Sequence, residues 1–163
     1  MSVRVLFVCM GNICRSPTAH ALFRETVTAA GLNDEIITDS AGTHAYHISN
    51  PPDARAIATA LARNIYMAEL RARQVCEADF ERFEYIVAMD YDNLSLLEAS
   101  CPPAEHGRLS LMLDWAEGLG DEVPDPYYGG REGFVRVFDM LTEASQGLLA
   151  HIVSSHGLVS WRP

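Results

Sequence analysis

"VRVLFVCMGNICRSPTAHALF", residues 3–23, joins a run of apolar, β-branched residues to a helical pattern through a short polar loop. The nearly continuous apolar run from Val3 to Val8 predicts a strand that is buried on both faces of a parallel sheet. Ser16-Pro17 indicates the start of a helix, with serine as the N-cap and proline at the first helical position. Cys9 therefore lies where the first strand ends, at the edge of the sheet where α/β proteins usually bind ligands.

The loop "CMGNICRS" has the pattern CX5R followed by serine. Its backbone N–H groups can curl around a tetrahedral anion, and the amino end of the following helix adds a partial positive charge. Gly11 permits close backbone approach, and Asn12 tolerates the left-handed conformation that an anion-binding nest needs. Arg15 can bind two phosphate oxygens in a bidentate fork. We therefore predict a phosphate-binding loop, formed by Cys9, Met10, Gly11, Asn12, Ile13, Cys14, Arg15 and Ser16.

The same loop favours the thiolate form of Cys9, which is the nucleophilic form of a cysteine. The Ser16 hydroxyl can form a hydrogen bond with the sulfur. Attack on a phosphate ester also requires a proton donor for the leaving oxygen. The candidate is Asp125 in "VPDPYYGG", held between two prolines, with Tyr127 and Tyr128 as a wall for an aryl group.

Hydrophobic periodicity predicts alternating strands and helices along the rest of the chain. We expect further strands at Ile36–Ser40, Tyr85–Met89 and Leu109–Leu113, with helices between them and a long helix at the carboxyl end. Strands that alternate with helices imply a parallel sheet covered on both faces. The long last helix is expected to bury Phe134, Val137, Met140, Leu141, Leu148 and Ile152.

Composition excludes several classes of protein. A length of 163 residues, 48% of them hydrophobic, predicts a single domain spanning residues 1–163. The net charge of −10, from 22 acidic and 12 basic side chains, disfavours a nucleic-acid-binding protein. No apolar run approaches the ~20 residues that span a membrane. Four cysteines without a CxxC pair, and no signal-peptide cleavage pattern, predict a cytoplasmic protein with reduced thiols and no structural zinc.

The motifs together resemble the low-molecular-weight protein tyrosine phosphatase family over almost the full length. The matching stretches are "VCMGNICRSPTA", "SAGTHAYH", "PPDARA", "YIVAMD" and "VPDPYYGG". The resemblance implies a three-layer α/β fold, in which a central four-stranded parallel sheet has helices on both faces and the phosphate-binding loop follows strand 1. It also implies that Cys9 is the nucleophile, Arg15 the phosphate-binding arginine and Asp125 the general acid.

The resemblance further implies the reaction and the supporting residues. The family hydrolyses phosphotyrosine in proteins, and small aryl phosphates, through a phosphocysteine, without a metal or organic cofactor. Inorganic phosphate is then the product and an inhibitor. Residues at family positions that hold the loop in shape are Asn12, Ser16 and Ser40, with Asp90 as a structural carboxylate. Residues at the rim of the cleft are Tyr46, His47, Tyr127 and Tyr128; for His47 an ordinary surface position is an equal alternative.

Two positions depart from the family pattern. In "AELRARQ", Leu70 stands where the family commonly has a histidine that supports the loop asparagine. Asn64 stands where the family has a glycine, and asparagine can still adopt a left-handed turn. We therefore expect Asn12 to be held by other groups, with a small change in loop stability and no loss of activity.

Three other functions remain open at this point. An arsenate reductase shares the loop but passes oxidation through further cysteines, and Cys76 and Cys101 are far apart in sequence. A protein-arginine phosphatase resembles this chain but has threonine at the position of Ile13. A phosphocarrier or anion-binding module would need no general acid, so Asp125 argues against it.

A disulfide between Cys9 and Cys14 that protects Cys9 from irreversible oxidation is a separate hypothesis. Simple packing of Cys14 beneath the loop is the alternative.

Overall fold

The computed structural model describes residues 2–160, and its centre is a parallel sheet with helices on both faces. The strand order is β2-β1-β3-β4, so β1 pairs with both β2 and β3. This arrangement confirms the predicted fold class. The strands are β1 (Val3–Cys9), β2 (Ile36–Gly42), β3 (Tyr85–Ala88) and β4 (Leu109–Leu111), and the helices are α1 (Arg15–Ala29), α2 (Ala54–Leu61), α3 (Asp79–Arg82), α4 (Tyr91–Ser100) and α5 (Arg131–His156).

The central strand β1 is buried on both sides because its side chains alternate between two apolar clusters. Phe7 packs toward α1 and α5, and its ring meets that of Phe23 edge-on with centroids 5.5 Å apart. Leu6 and Val8 pack on the opposite face, against residues of α3 and α4. Because both faces of β1 are covered, a ligand can reach this strand only at its ends. Cys9, its last residue, therefore reaches the carboxyl edge of the sheet.

Helix α1 begins two residues earlier than predicted, at Arg15, so Ser16 and Pro17 lie inside its first turn. The assignment of Ser16 as the N-cap is therefore wrong; no side chain caps this helix. The backbone N–H of Ser16 instead donates to Cys9 Sγ at 3.4 Å. Gly31 adopts a φ of 75° directly after the C-cap, where glycine commonly ends a helix.

The fourth strand is shorter than predicted and ends at Leu111. The Asp114 carboxylate accepts a hydrogen bond from the Leu111 backbone N–H at 2.9 Å, which turns the chain into a 3₁₀ segment at Met112–Trp115. The buried face of α5 is as predicted, except that Met140 is only half-buried. None of the helices within residues 2–160 combines the length and apolar character needed to cross a membrane.

Candidate active site

The loop that follows β1 is held by a hydrogen-bond network centred on Asn12. Asn12 adopts a φ of 57°, which confirms the predicted left-handed conformation. Its Nδ2 donates to Ser16 Oγ at 2.8 Å, and its Oδ1 accepts from the backbone N–H of Arg73 at 3.0 Å. Asn12 is buried, so both bonds are shielded from water. The network fixes the curl of the loop.

The Cys9 sulfur is buried at the centre of this loop, with only 3% of the residue exposed. Cys9 Sγ lies 3.0 Å from Ser16 Oγ, as predicted. Ser16 Oγ also lies 3.3 Å from the Ala41 carbonyl oxygen. Because a hydroxyl has one hydrogen, Ser16 can donate to only one of these acceptors at a time. An ionised sulfur is the stronger acceptor, so the geometry favours stabilisation of a Cys9 thiolate.

Arg15 is fixed beneath the loop by two acceptors that come from distant parts of the chain. Its Nη1 donates to Asp90 Oδ2 at 2.7 Å and to the Val123 carbonyl oxygen at 2.9 Å. Burial opposes the charge, yet the pKa of the Arg15 guanidinium is raised because Cys9 and then Asp90 and Asp125 favour the charged form. The described residues accept no hydrogen bond from its Nη2, which is therefore available to an anion.

Asp125 faces the same cavity as Cys9. Its Oδ1 accepts a hydrogen bond from the Tyr127 backbone N–H at 3.0 Å, and its Oδ2 lies 3.8 Å from Arg15 Nη2. The side chain of Asp125 is 32% exposed, so it can exchange protons with solvent. The cavity has a volume of about 280 Å³ and is lined by Cys9, Met10, Gly11, Ile13, Cys14, Arg15, Tyr46, His47, Asp125, Tyr127 and Tyr128.

The residues expected at the rim surround the mouth of this cavity. Tyr128 is 84% exposed, and its ring packs edge-on against that of Tyr127 with centroids 5.0 Å apart. Tyr46 is stacked on His44 at a centroid distance of 5.1 Å. His47 packs over the loop, since a Cβ added to Gly11 would lie 2.9 Å from His47 Cδ2. His47 is therefore part of the cavity wall, and a side chain at position 11 would require its ring to move.

Ser40 lies behind the loop rather than in contact with it. Ser40 Oγ lies 2.9 Å from Nδ1 of His20, and both residues are buried. The hydrogen-bonded contact between β2 and Ser16 is made by the neighbouring carbonyl of Ala41. Support of the loop by Ser40 therefore stays a prediction, and any such effect acts through packing of β2 against α1.

His20 makes the stability of this region depend on pH. Burial, the largest cause, lowers the pKa of His20 to about 4, although Asp39 acts in the opposite direction. The unfolded chain binds this proton below its ordinary pKa of about 6.5. Stability is therefore complete above that pH and is lost as the pH falls toward 4. We expect a loss of roughly 2 kcal/mol by pH 5 from this group alone.

Urea unfolding of the wild type and of His20→Asn at pH 7.5, 6 and 5 tests this expectation. The asparagine keeps a polar group near Nδ1 but does not titrate. The variant is less stable at pH 7.5 because the ring is lost, yet its stability should fall less between pH 7.5 and 5. Parallel losses in the two proteins would contradict the assignment to His20.

The two departures from the family pattern have simple structural consequences. Asn64 adopts a φ of 62°, so the left-handed turn expected at this position is confirmed. Leu70 is partly buried and packs against an apolar cluster that includes Cys14. The Arg73 backbone N–H donates a hydrogen bond to the side-chain oxygen Oδ1 of Asn12. The apolar side chain of Leu70 therefore occupies the position at which the family commonly has a histidine.

Leu70→His should lower the free energy of unfolding by about 1 kcal/mol, since a partly buried leucine contributes less than a fully buried one. For a chain of this size, that change corresponds to a decrease in Tm of about 2–4 °C. We expect turnover to change little, because the Arg73 bond to Asn12 stays in place. Thermal unfolding together with steady-state kinetics checks this; a large gain in kcat would mean that the loop lacks a support that histidine supplies.

Two arginines that the sequence did not single out also brace the site. The Arg73 guanidinium pairs with Asp79 at 3.0 Å and with Asp39 at 3.1 Å, and thereby fixes the backbone that holds Asn12. The Arg55 guanidinium donates to the Tyr127 carbonyl oxygen at 3.0 Å and pairs with Asp53. Arg55 lies in "PPDARA", which matches the family and was the available signal. Arg73 lies in "AELRARQ", the stretch in which Leu70 departs from the family pattern.

Cys14 lies on the inner side of the loop and is buried, as is Cys9; both are free thiols. Burial, followed by the charges of Asp53 and Cys9, raises the pKa of the Cys14 thiol well above its ordinary value. Cys14 is thus held as a neutral thiol, which fits the packing role. A disulfide with Cys9 stays a hypothesis that peroxide treatment and peptide mapping test; recovery of Cys9 only as the sulfonic acid would reject it.

Comparison with known proteins identifies the family. The family model for low molecular weight phosphotyrosine protein phosphatase matches residues 4–156. The chain is 41% identical over 153 residues to the low molecular weight phosphotyrosine protein phosphatase of Schizosaccharomyces pombe, covering 93% of this chain and 97% of the relative. The corresponding human protein is 36% identical over 147 residues, with 89% and 92% of the two chains covered.

A solved structure agrees with these relatives. The protein tyrosine phosphatase of Entamoeba histolytica, crystallised with Hepes in the active site, superposes with a TM-score of 0.90 at 39% sequence identity. The match covers 96% of this chain and 99% of that one. Because the family model matches residues 4–156, a relative is 41% identical and the fold is shared, the chain belongs to the low molecular weight phosphotyrosine protein phosphatase family.

Proposed function

We propose that this protein is a cysteine-dependent protein tyrosine phosphatase that hydrolyses phosphotyrosine in proteins, and small aryl phosphates. One observation carries the proposal: Cys9 Sγ, 3.0 Å from Ser16 Oγ, shares a cavity with Arg15 and Asp125. A nucleophile, an anion-binding guanidinium and a carboxylic acid are the groups that phosphoryl transfer through a covalent intermediate requires. Membership of the family supports the same reaction.

In the first step the Cys9 thiolate attacks phosphorus in line with the departing phenol. The S–P bond forms as the P–O bond to the phenol breaks, and Asp125 gives its proton to the leaving oxygen. The loop N–H groups and Arg15 stabilise the charge on the three equatorial oxygens. Because Asp90 and Val123 hold Nη1, the guanidinium meets the phosphate in a fixed orientation.

In the second step water attacks the phosphocysteine. The Asp125 carboxylate, deprotonated in the first step, takes a proton from the water, and the S–P bond breaks to release inorganic phosphate. The hydrogen bond from Ser16 to Cys9 stabilises the departing thiolate. Phosphate is thus the product, and its affinity for the empty loop makes it an inhibitor.

The lining of the cavity favours an aryl ester. Ile13, Tyr46 and Tyr127 present apolar and aromatic surface around the path to the sulfur. Such a wall suits a flat phenyl ring more than the branched, charged side chain of phosphoarginine. Neither Cys76 nor Cys101 lines the cavity, so the additional thiols that an arsenate reductase uses are not placed beside Cys9.

Steady-state assays separate these functions. The protein should hydrolyse para-nitrophenyl phosphate at mildly acidic pH, and a phosphotyrosine peptide more efficiently than the matched phosphoarginine peptide. Preference for phosphoarginine would change the substrate assignment. Failure to hydrolyse any of the three would favour a phosphocarrier or anion-binding module.

We further propose that residues 1–163 act as one domain in the cytoplasm, without a nucleic-acid or membrane partner. Helices α1 and α5 contribute to two of the buried clusters, which ties α2 to the sheet and supports a single unit. The four cysteines are free thiols, which is typical of a reducing compartment. The charge of −10 opposes binding to nucleic acid.

A further inference from the structure

A second concave surface lies beside the active site, between α2 and α5. We call it the arginine groove; its volume is about 670 Å³. Its floor consists of small side chains at successive turns of α2, and three guanidinium groups line it in a protein whose net charge is −10. Its lining residues are Ala54, Arg55, Ala58, Thr59, Ala62, Arg63, Arg131 and Val135.

The arginine groove adjoins the substrate cavity through Arg55. The Arg55 guanidinium donates to the carbonyl oxygens of Tyr127, at 3.0 Å, and Gly129, at 3.4 Å. It also lies 4.7 Å from the ring centroid of Phe134. Arg55 and its contact Tyr127 therefore form the boundary between the two concave surfaces, since Tyr127 lines the substrate cavity. Arg55 makes these contacts and an ion pair with Asp53, so its guanidinium is already occupied.

The other two arginines are available to a ligand. Arg131 is exposed, and no carboxylate of residues 2–160 lies within ion-pairing distance of it. Arg63 lies over the ring of Phe138 at 4.7 Å and pairs with Asp139 at 3.3 Å, where both side chains are exposed. Exposed ion pairs are weak, so Arg63 can exchange this partner for a ligand carboxylate.

The neighbouring carboxylates neutralise part of the arginine groove, since Asp139 pairs with Arg63 at 3.3 Å. Asp139 and Glu132 also line a second concave surface, which shares Val135 with the groove. Asp53 is paired with Arg55. None of the ion pairs within residues 2–160 involves Arg131, so its positive charge remains beside the mouth of the active site, and the charge of Arg63 is balanced only by an exposed ion pair.

We infer that the arginine groove binds acidic side chains of the phosphoprotein substrate close in sequence to the phosphotyrosine. The inference rests on the proposed function, since it requires phosphotyrosine to occupy the adjacent cavity. Arg63 and Arg131 act as specificity residues that pair with Asp or Glu of the substrate. The small floor of α2 leaves room for an extended peptide backbone between the guanidinium groups.

Three phosphotyrosine peptides of equal length test the inference, with acidic, neutral or basic residues on both sides of the phosphotyrosine. For the wild type, we expect kcat/KM for the acidic peptide to exceed that for the neutral peptide by about three- to tenfold, as two exposed ion pairs allow. The preference should shrink as salt is raised, because exposed charges are screened. The effect should appear mainly in KM.

The double variant Arg63→Ala/Arg131→Ala should lose the acidic preference, and Arg131→Glu should shift the preference toward the basic peptide. Arg82→Ala is the matched control, since Arg82 is an exposed arginine of α3 on the opposite face of the sheet. Hydrolysis of para-nitrophenyl phosphate should be equal in all four proteins, because this substrate does not reach the groove.

The outcomes separate the inference from the proposed function. If the wild type hydrolyses para-nitrophenyl phosphate and the neutral peptide but shows no acidic preference, the inference is wrong and the proposed function stands. A preference that persists in the double variant, or that Arg82→Ala abolishes equally, also overturns it. Failure of the wild type to hydrolyse any phosphate ester would overturn both.

Discussion

Cys9→Ser should abolish hydrolysis of para-nitrophenyl phosphate, with a decrease in kcat of at least about 10⁴-fold, as is typical when the nucleophile of a covalent mechanism is removed. A serine hydroxyl in this loop stays protonated at neutral pH, so no nucleophile forms. The Asn12 network meets the Cys9 side chain only through Ser16 Oγ, and a serine at position 9 can keep that hydrogen bond. The hydrogen bonds of Arg15 go to Asp90 and Val123. The anion site should therefore survive the substitution.

Binding measurements distinguish loss of the nucleophile from loss of the fold. Calorimetric titration with inorganic phosphate or tungstate should give an affinity for Cys9→Ser close to that of the wild type. Cys76→Ser removes an exposed thiol outside the cavity and serves as the control. Substantial turnover by Cys9→Ser, or loss of anion binding together with unchanged unfolding, would refute the assigned role.

Asp125→Ala should slow hydrolysis in proportion to how poor the leaving group is. General acid catalysis typically contributes about 10²–10⁴-fold, and its contribution is largest when the leaving oxygen is strongly basic. We therefore expect a large decrease in kcat for phenyl phosphate and phosphotyrosine, and a much smaller one for para-nitrophenyl phosphate. Loss of the proton donor predicts this difference between poor and good leaving groups. Disorder of the loop around position 125 would slow all the substrates alike.

Asp125→Asn separates the acid from its structural contact. Asparagine can still accept the hydrogen bond from the Tyr127 backbone N–H, which Asp125 Oδ1 receives at 3.0 Å, but it is not an acid. If Asp125 is the proton donor, the Asn and Ala variants should behave alike. Recovery of activity in the Asn variant, or equal slowing with every leaving group, would show that Asp125 only shapes the loop.

Much of the fold could be predicted because its signals are local. The apolar run before Cys9 predicted a central buried strand, since a strand covered by helices on both faces needs apolar residues at nearly every position. The boundaries were less predictable. Ser16 and Pro17 form a common helix-start pair, but the loop tightens before them, and Ser16 contacts the Cys9 sulfur instead of capping the helix.

The sequence by itself determined the chemistry of the loop between β1 and α1. A glycine, an asparagine that accepts a positive φ, and a cysteine and an arginine six residues apart predict an anion-binding loop within a few residues, because backbone preference and side-chain type are local properties. A second local pattern, "VPDPYYGG", made Asp125 the candidate acid beside two tyrosines.

Only the tertiary structure decided which distant residues surround the loop between β1 and α1. Arg15 is held by Asp90, 75 residues away, and by the Val123 carbonyl, 108 residues away. Because every residue has a backbone carbonyl, the identity of Val123 does not indicate this contact. The arginine groove likewise joins Arg63 to Arg131 only because α2 packs against α5. Such contacts depend on strand order and helix packing, which bring together segments whose separation in the sequence carries no signal of their proximity.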